Sequence, residues 1–254
     1  MIILAPLILI HIAYFLSLMK KNMGIIDGFW GLGFVSLSMS AVAMSGGVDV
    51  KQNLLCLLLL LWGGRLSIFL FLRNGNKPED FRYAQWRKDW KEKTALISYF
   101  KVFWLQYLLM LIIGTPIWYI YFWPTEVNVL TFLGVGIFGF GLIYESISDW
   151  QKSKFKNTPG NEYKLCKIGL WQYSRHPNYL GEIILWYGLG IMGLSLVSAA
   201  SVLSLLGPVV IHFLILKVSG VPLIEAKHKN NSEYLTYMRT TPRMIPRFIL
   251  KFLS

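Results

Sequence analysis

The densest run of chemically capable residues in this chain is Gly169-Leu170-Trp171-Gln172-Tyr173-Ser174-Arg175-His176-Pro177-Asn178-Tyr179-Leu180-Gly181-Glu182. Arg175 and His176 can contact a phosphate, Asn178 offers an amide donor and acceptor, and Glu182 can accept from a hydroxyl or amide. Pro177 keeps His176 out of helical conformation, and Gly181 permits close backbone approach. A helix opening beside these groups turns its free N–H groups toward an anion. The same run also suits a simpler role, an interfacial anchor with Trp171, Tyr173, Tyr179 and Arg175 at headgroup level.

A second set of residues stands out by placement. Asp27, Arg65, Glu145 and Asp149 lie in or at the ends of apolar stretches, where charge is expensive and usually faces a bundle interior or a wet cavity. Glu145 and Asp149 are one helical turn apart, so two like charges share a face. Either a ligand or an arginine sits between them, or they pair with Lys152 or Lys156 at the interface; the spacing fits both. For Arg65 the simpler reading is a buried salt bridge to Asp27 that joins two helices without chemistry. His11 and His212 are lone histidines in apolar runs and read as helix-contact residues. The four histidines are too scattered for a metal site, and Cys56 and Cys166 read as structural.

The elements that must position these groups follow from composition. The 254 residues are 55% hydrophobic and 15% charged, with mean hydropathy +0.50, against about 25% charged in a soluble domain. Such a chain cannot cover its apolar surface in water, and its aromatic richness suits helices that meet headgroups. Because a spanning helix needs roughly 20 apolar residues, the pattern predicts an all-α bundle of seven spans, at 1–19, 24–44, 54–72, 102–122, 129–148, 180–198 and 200–217. The first lacks the basic start and small-residue cleavage site of a signal peptide. All Lys and Arg except Lys51 and Arg65 fall on one side of this arrangement, which orients the chain N-terminus out and C-terminus in. The net charge of +12 then needs no nucleic-acid partner. The expectation is a single integral membrane domain, residues 1–254, with a substrate-side half over 1–122 and a cofactor-binding half over 123–254. On this topology Asp27, Arg65, Glu145 and Asp149 line one cavity open to the cytosol, together with the 175–182 stretch. The charged 73–101 connection reads as an interfacial amphipathic helix, with Trp86 and Trp90 one turn apart. Gly24, Gly28, Gly31 and Gly33 lighten one side of span two, fitting close packing within the chain as well as a dimer face, so oligomeric state stays open.

At these residues the chain resembles the steroid 5-alpha-reductase family, especially its bacterial reductase-like branch. The resemblance runs over the whole chain: Asp27-Gly28-Phe29-Trp30-Gly31, Arg65, the run Arg73-Asn74-Gly75-Asn76-Lys77-Pro78-Glu79-Asp80-Phe81-Arg82-Tyr83, Asp149 and the block Ser174 to Glu182. The Arg-His-Pro-X-Tyr core is also similar to an element of isoprenylcysteine and phospholipid methyltransferases. The resemblance implies a seven-helix enzyme, in a bacterial inner membrane, that binds NADPH from the cytosol and reduces a double bond conjugated to a carbonyl in a lipid or steroid-like molecule. By position it implies cofactor contacts from Asp149, Lys156, Arg175 and Asn178, with Glu145, Tyr173, His176, Tyr179 and Glu182 in the same neighbourhood. His228, Tyr234 and Tyr237, followed by Pro242 and Ile245-Pro246, resemble the segment that closes over the cofactor. The chain departs from the steroid enzymes where a Gln-Glu pair and a Tyr polarise the substrate carbonyl. Asp27 stands in the one place and Trp62 near the other, and Trp donates an N–H but cannot deliver a proton.

The leading expectation is therefore hydride transfer to an enone, with protonated Asp27 as the acid, Arg65 orienting it and Trp62 beside it. A tight Asp27–Arg65 pair would instead keep the carboxylate ionised. The competing readings are a methyltransferase using S-adenosylmethionine, which needs no phosphate clamp, and a non-enzymatic protein whose basic loops hold anionic lipid headgroups.

Overall fold

The computed structural model describes residues 2–44, 49–75, 77–123 and 126–246. Met1 of the first expected span, Asn76 of the run from Arg73 to Tyr83, and residues 124 and 125 of the expected connection at 123–128 lie outside the described residues. Among the described residues the chain is helix and turn, with no strand. It divides into two compact units, Met1–Asn128 with Ser195–Leu206, and Val129–Leu194 with Gly207–Ser254.

The first unit contains α1 (Leu4–Met19), α2 (Ile25–Met44), α3 (Val50–Asn74), α4 (Phe81–Trp90), α5 (Thr94–Ser98), α6 (Leu105–Ile113) and α7 (Thr115–Phe122). The second holds α8 (Val129–Asn157), α9 (Pro177–Met192), most of α10 (Leu206–Phe213), α11 (Val221–Lys227) and α12 (Ser232–Thr240). Five helical stretches are long and apolar enough to cross a membrane: Ile25–Met44, Val50–Asn74, Phe81–Ile113, Val129–Asn157 and Ala199–Lys227. α1 is apolar but only 16 residues long.

Several expected boundaries move. The stretch expected at 102–122 is interrupted at Gly114, where α6 ends and α7 begins. The stretch expected at 180–198 is α9, which starts at Pro177 and stops at Met192, so Glu182 sits inside the helix rather than at its start. Much of the charged 73–101 segment is helical. Asp80 caps α4 by accepting from Arg82 N at 3.0 Å, and the helix ends where Lys91 takes φ 48°. Residues such as Ala84, Gln85, Arg87 and Lys88 are good helix formers, so charge here marks a polar helix rather than a loop. α8 likewise runs past the expected end at 148 to Asn157.

The central packing of the second unit is a glycine seam seven residues in period. Gly134 and Gly141 on α8 face Gly188 and Gly181 on α9. A Cβ on Gly188 would lie 2.5 Å from Phe138 N and 2.7 Å from Gly134 O, and one on Gly181 would lie 2.6 Å from Glu145 N. Small residues let the two backbones touch, which drives helix association where lipid is as apolar as leucine. In the first unit Gly31 and Gly63 bring α2 and α3 into similar backbone contact, while Gly28 makes room for Phe71 and Gly33 for Met110. The glycines of α2 are thus occupied by packing within the chain. Gly188→Ala should force α8 and α9 apart, costing about 1–3 kcal/mol by overpacking. Gly136→Ala, where an added Cβ meets nothing within 4 Å, should be neutral. Thermal unfolding of the two variants in detergent checks this, and equal midpoints would contradict the seam.

Candidate functional site

In the second unit one face of α8 carries Glu145, Asp149, Lys152 and Lys156 in succession, spaced three or four residues apart so that they align. The two carboxylates are buried, Glu145 at 3% exposure against Gly181. Asp149 Oδ1 accepts from Asn178 Nδ2 at 3.3 Å, which ties α8 to α9. Lys152 Nζ lies 4.3 Å from the centre of the Trp171 ring. Lys156 Nζ donates to the carbonyls of Glu162 and Lys164, at 2.8 and 2.5 Å, and so holds the turn after α8.

The loop before α9 is fixed from both sides. Gly169 takes φ 56°, in the region that favours glycine. Leu170 N donates to Gln151 Oε1 at 2.8 Å, and Trp171 Nε1 donates to Ser148 O at 2.9 Å. From the C-terminal segment, Pro242 O accepts from Arg175 N at 3.0 Å. Tyr237 donates its hydroxyl to the carbonyls of Trp171 and Ser174. His176 precedes Pro177 with φ −138° and ψ 58°, outside the helix as the proline requires. Asn231 caps α12 by accepting from Tyr234 N at 3.0 Å; Tyr234 and Tyr237 then project from neighbouring turns of one face.

At the centre stands Glu225 of α11. Its Oε1 accepts from Arg175 NH1 at 2.6 Å and lies 3.7 Å from His176 Nε2, while Oε2 accepts from Arg243 NH2 at 3.0 Å. Around it three buried polar atoms make no hydrogen bond: Arg175 Nε, His176 Nε2 and Tyr234 Oη. Tyr234 Oη lies beside Arg175 without reaching hydrogen-bond geometry. The parent residues are 8%, 2% and 3% exposed. They line a pocket shared with Lys152, Lys156, Lys164 and His228. Burial holds His176 below the usual imidazole range against the pull of Glu225. His228 is depressed by burial and then by the nearby lysines, and it stacks on Tyr234 with ring centres 4.7 Å apart. Burial raises the Tyr234 and Tyr237 phenols and the Cys166 thiol, so they keep their protons. The pocket is therefore rich in donors and positive charge, matched to an acceptor-rich anion such as a phosphate group.

The structure brings Lys156, Arg175, His176, His228, Tyr234 and Tyr237 to this pocket. Asp149 and Asn178 bind one another, and Glu145 lies in the α8–α9 seam. Tyr179 stacks on His176 with ring centres 5.8 Å apart, Glu182 is half-buried in α9, and Tyr173 is 46% exposed. In the first unit Trp62 is fully buried, its ring 5.9 Å from that of Phe34. The Arg65 guanidinium lies 5.9 Å from the Phe69 ring. Asp27 stands in the first turn of α2. Sequence reasoning missed Glu225, and it named Lys152 only as an interfacial counter-ion rather than as a pocket residue. The available signal for Glu225 was its isolation, since no other acid stands between Glu182 and Glu233.

Fold and pocket together describe a helical chain with five stretches long and apolar enough to cross a membrane and a pocket lined by lysine, arginine, histidine and tyrosine side chains. More particularly, the chain belongs to the DUF1295 family, described as proteins of unknown function, which it matches over residues 13–241. An uncharacterised protein of Schizosaccharomyces pombe is 22% identical over 217 residues, covering 75% of this chain and 63% of the yeast protein. A steroid 5-alpha-reductase of Solanum lycopersicum is 38% identical over 60 residues, 24% of this chain and 23% of the tomato protein. The chain thus spans less than two thirds of the length of these relatives. No solved structure matches it.

Proposed function

We propose that this protein is a membrane-embedded, NADPH-dependent reductase of a conjugated carbon–carbon double bond in a lipid or steroid-like enone. The observation that carries the reading is the trio of buried, unused polar atoms on Arg175, His176 and Tyr234 beside a cluster of lysines. A buried donor without a partner costs about 1–3 kcal/mol, and a cofactor rich in phosphate oxygens offsets that cost. The similarity to a steroid 5-alpha-reductase over 60 residues supports the reaction class. Bound NADPH supplies a hydride from its nicotinamide ring. Arg175, His176, Tyr234, Lys152 and Lys156 hold its phosphates, and Glu225 keeps the Arg175 guanidinium oriented. His228 and Tyr237 complete the enclosing wall. Glu145, Asp149, Asn178, Glu182, Tyr173 and Tyr179 serve its uncharged polar and aromatic parts. In the first unit Asp27 holds the proton for the reduced product, with Arg65 and Trp62 shaping the acid's surroundings. The chain crosses the membrane seven times, N-terminus out and C-terminus in, with the cofactor side in the cytoplasm.

The test is thermal stabilisation of purified protein in detergent, because a ligand that binds the native state adds about 2.7 kcal/mol at 100 times its Kd. NADPH should raise the midpoint, and NADH should raise it less. A response to S-adenosylmethionine alone would replace this reading with a methyltransferase. A response to neither nucleotide, with stabilisation by acidic lipid, would leave a lipid-binding protein.

A further inference from the structure

We infer that the outer face of α8 and the groove at its end form a seat for one anionic phospholipid of the phosphatidylglycerol class. The inference lies wholly in the second unit and does not depend on the reductase reading.

α8 buries one side against α9 through Gly134, Phe138, Gly141 and Glu145. Its other side carries Phe140, Ile143, Ile147 and Trp150, between 41% and 61% exposed, and then exposed Lys154. Steps of three and four residues set these five on one line along the helix. From Phe140 to Trp150 that line rises about 15 Å, half of a hydrocarbon core about 30 Å thick. Its apolar part thus has the depth of a single leaflet. Trp150 falls where an indole meets headgroups. Lys154 follows one turn later, its ammonium 5.0 Å from the centre of the Trp150 ring.

There the line opens into a groove of about 410 Å³. Trp150, Phe155 and Ile168 form its apolar wall, and Gln151, Lys154 and Asn161 its polar one. Gln151 Oε1 accepts from Leu170 N at 2.8 Å. Gly169, at φ 56°, lacks the Cβ that would strike the Gln151 amide, so that amide is fixed with its NH2 unspent. Among the described residues, neither that NH2, the Asn161 side chain nor the Lys154 ammonium has a hydrogen-bond or ion-pair partner. No carboxylate lines the groove among the described residues.

Such a set suits a phosphate diester, whose oxygens only accept. It offers no counter-charge to the ammonium of a choline or ethanolamine headgroup, whereas a glycerol headgroup adds hydroxyls that can donate to the Asn161 amide oxygen. The groove shares no lining residue with the pocket at Arg175. A soluble anion would use the groove and leave the apolar line idle; a phospholipid uses both.

The test is native mass spectrometry of the full chain released from detergent micelles, counting lipid retained as dioleoyl phosphatidylglycerol or dioleoyl phosphatidylcholine is titrated in. Wild type should hold the first about tenfold more tightly, the scale of one charge-assisted hydrogen bond. Lys154→Gln should lose that preference and keep its unfolding midpoint. Lys88→Gln, at an exposed lysine of the first unit, should retain the preference. Equal affinity of wild type for the two lipids, or an unchanged preference in Lys154→Gln, overturns the assignment. An equal loss in Lys88→Gln overturns it too, by making the preference a matter of net charge. Displacement of the lipid by glycerol 1-phosphate would make this a site for a soluble anion, and a dimer formed with no lipid retained would give the face to a second copy; either result ends the proposal.

Discussion

Arg175→Met should abolish stabilisation by NADPH, with affinity falling by roughly 100-fold or more. Hydrogen bonds to a charged group contribute about 1.5–3 kcal/mol each, and about 1.4 kcal/mol is tenfold in affinity, so losing two such bonds reaches that figure. The substitution also takes from Glu225 its buried arginine partner, leaving the half-exposed Arg243. The Arg175–Glu225 pair is nearly closed from solvent, with side-chain exposures of 7% and 12%, so its loss costs stability, short of the about 3–5 kcal/mol of a fully unpaired buried charge. The variant will therefore unfold earlier even without ligand. Arg175→Met combined with Glu225→Leu separates the two effects, since the carboxylate that lost its buried partner is gone. Its unfolding midpoint should recover toward wild type while its response to NADPH stays absent. A double variant that responds to NADPH as wild type does would show that the pocket is not the nucleotide site.

That dependence on Glu225 explains where the sequence was legible and where it was not. The block from Ser174 to Glu182 announced itself through residue type: arginine, histidine, proline and asparagine in a short run beside an apolar helix have few structural reasons to sit together. Their partners gave no such signal. Glu225 lies 50 positions from Arg175 and meets it through packing in the folded unit, which no local pattern encodes. Lys152 reads as a possible counter-ion because it follows Asp149 by less than a turn, and its ammonium lies over Trp171, a contact 19 positions away that the spacing does not announce. The carboxylate pair reads as mutual repulsion that a cation or a hydrogen-bond donor relieves, and Asp149 accepts from the amide of Asn178. The same logic governs the helices. Hydropathy found the apolar stretches because burial in lipid is a property of composition. It placed their ends poorly because α8 and α4 continue as polar helices, held by propensity and capping rather than by lipid. The α8–α9 seam escaped notice because its glycines recur every seven residues rather than every four.

Asp27→Asn should lower turnover of an enone by about 10²–10⁴-fold, the range that a positioned acid contributes, and leave NADPH-induced stabilisation intact. Asparagine keeps the size and polarity of the side chain, but it has no carboxyl proton to pass on. The substitution therefore isolates proton supply from architecture. Asp27 lies in the first turn of α2, where an acid also complements the helix dipole, so a modest loss of stability accompanies the change and is read separately by the unfolding midpoint. Turnover by Asp27→Asn at the wild-type rate would remove this carboxyl from the chemistry and leave it a part of the start of α2.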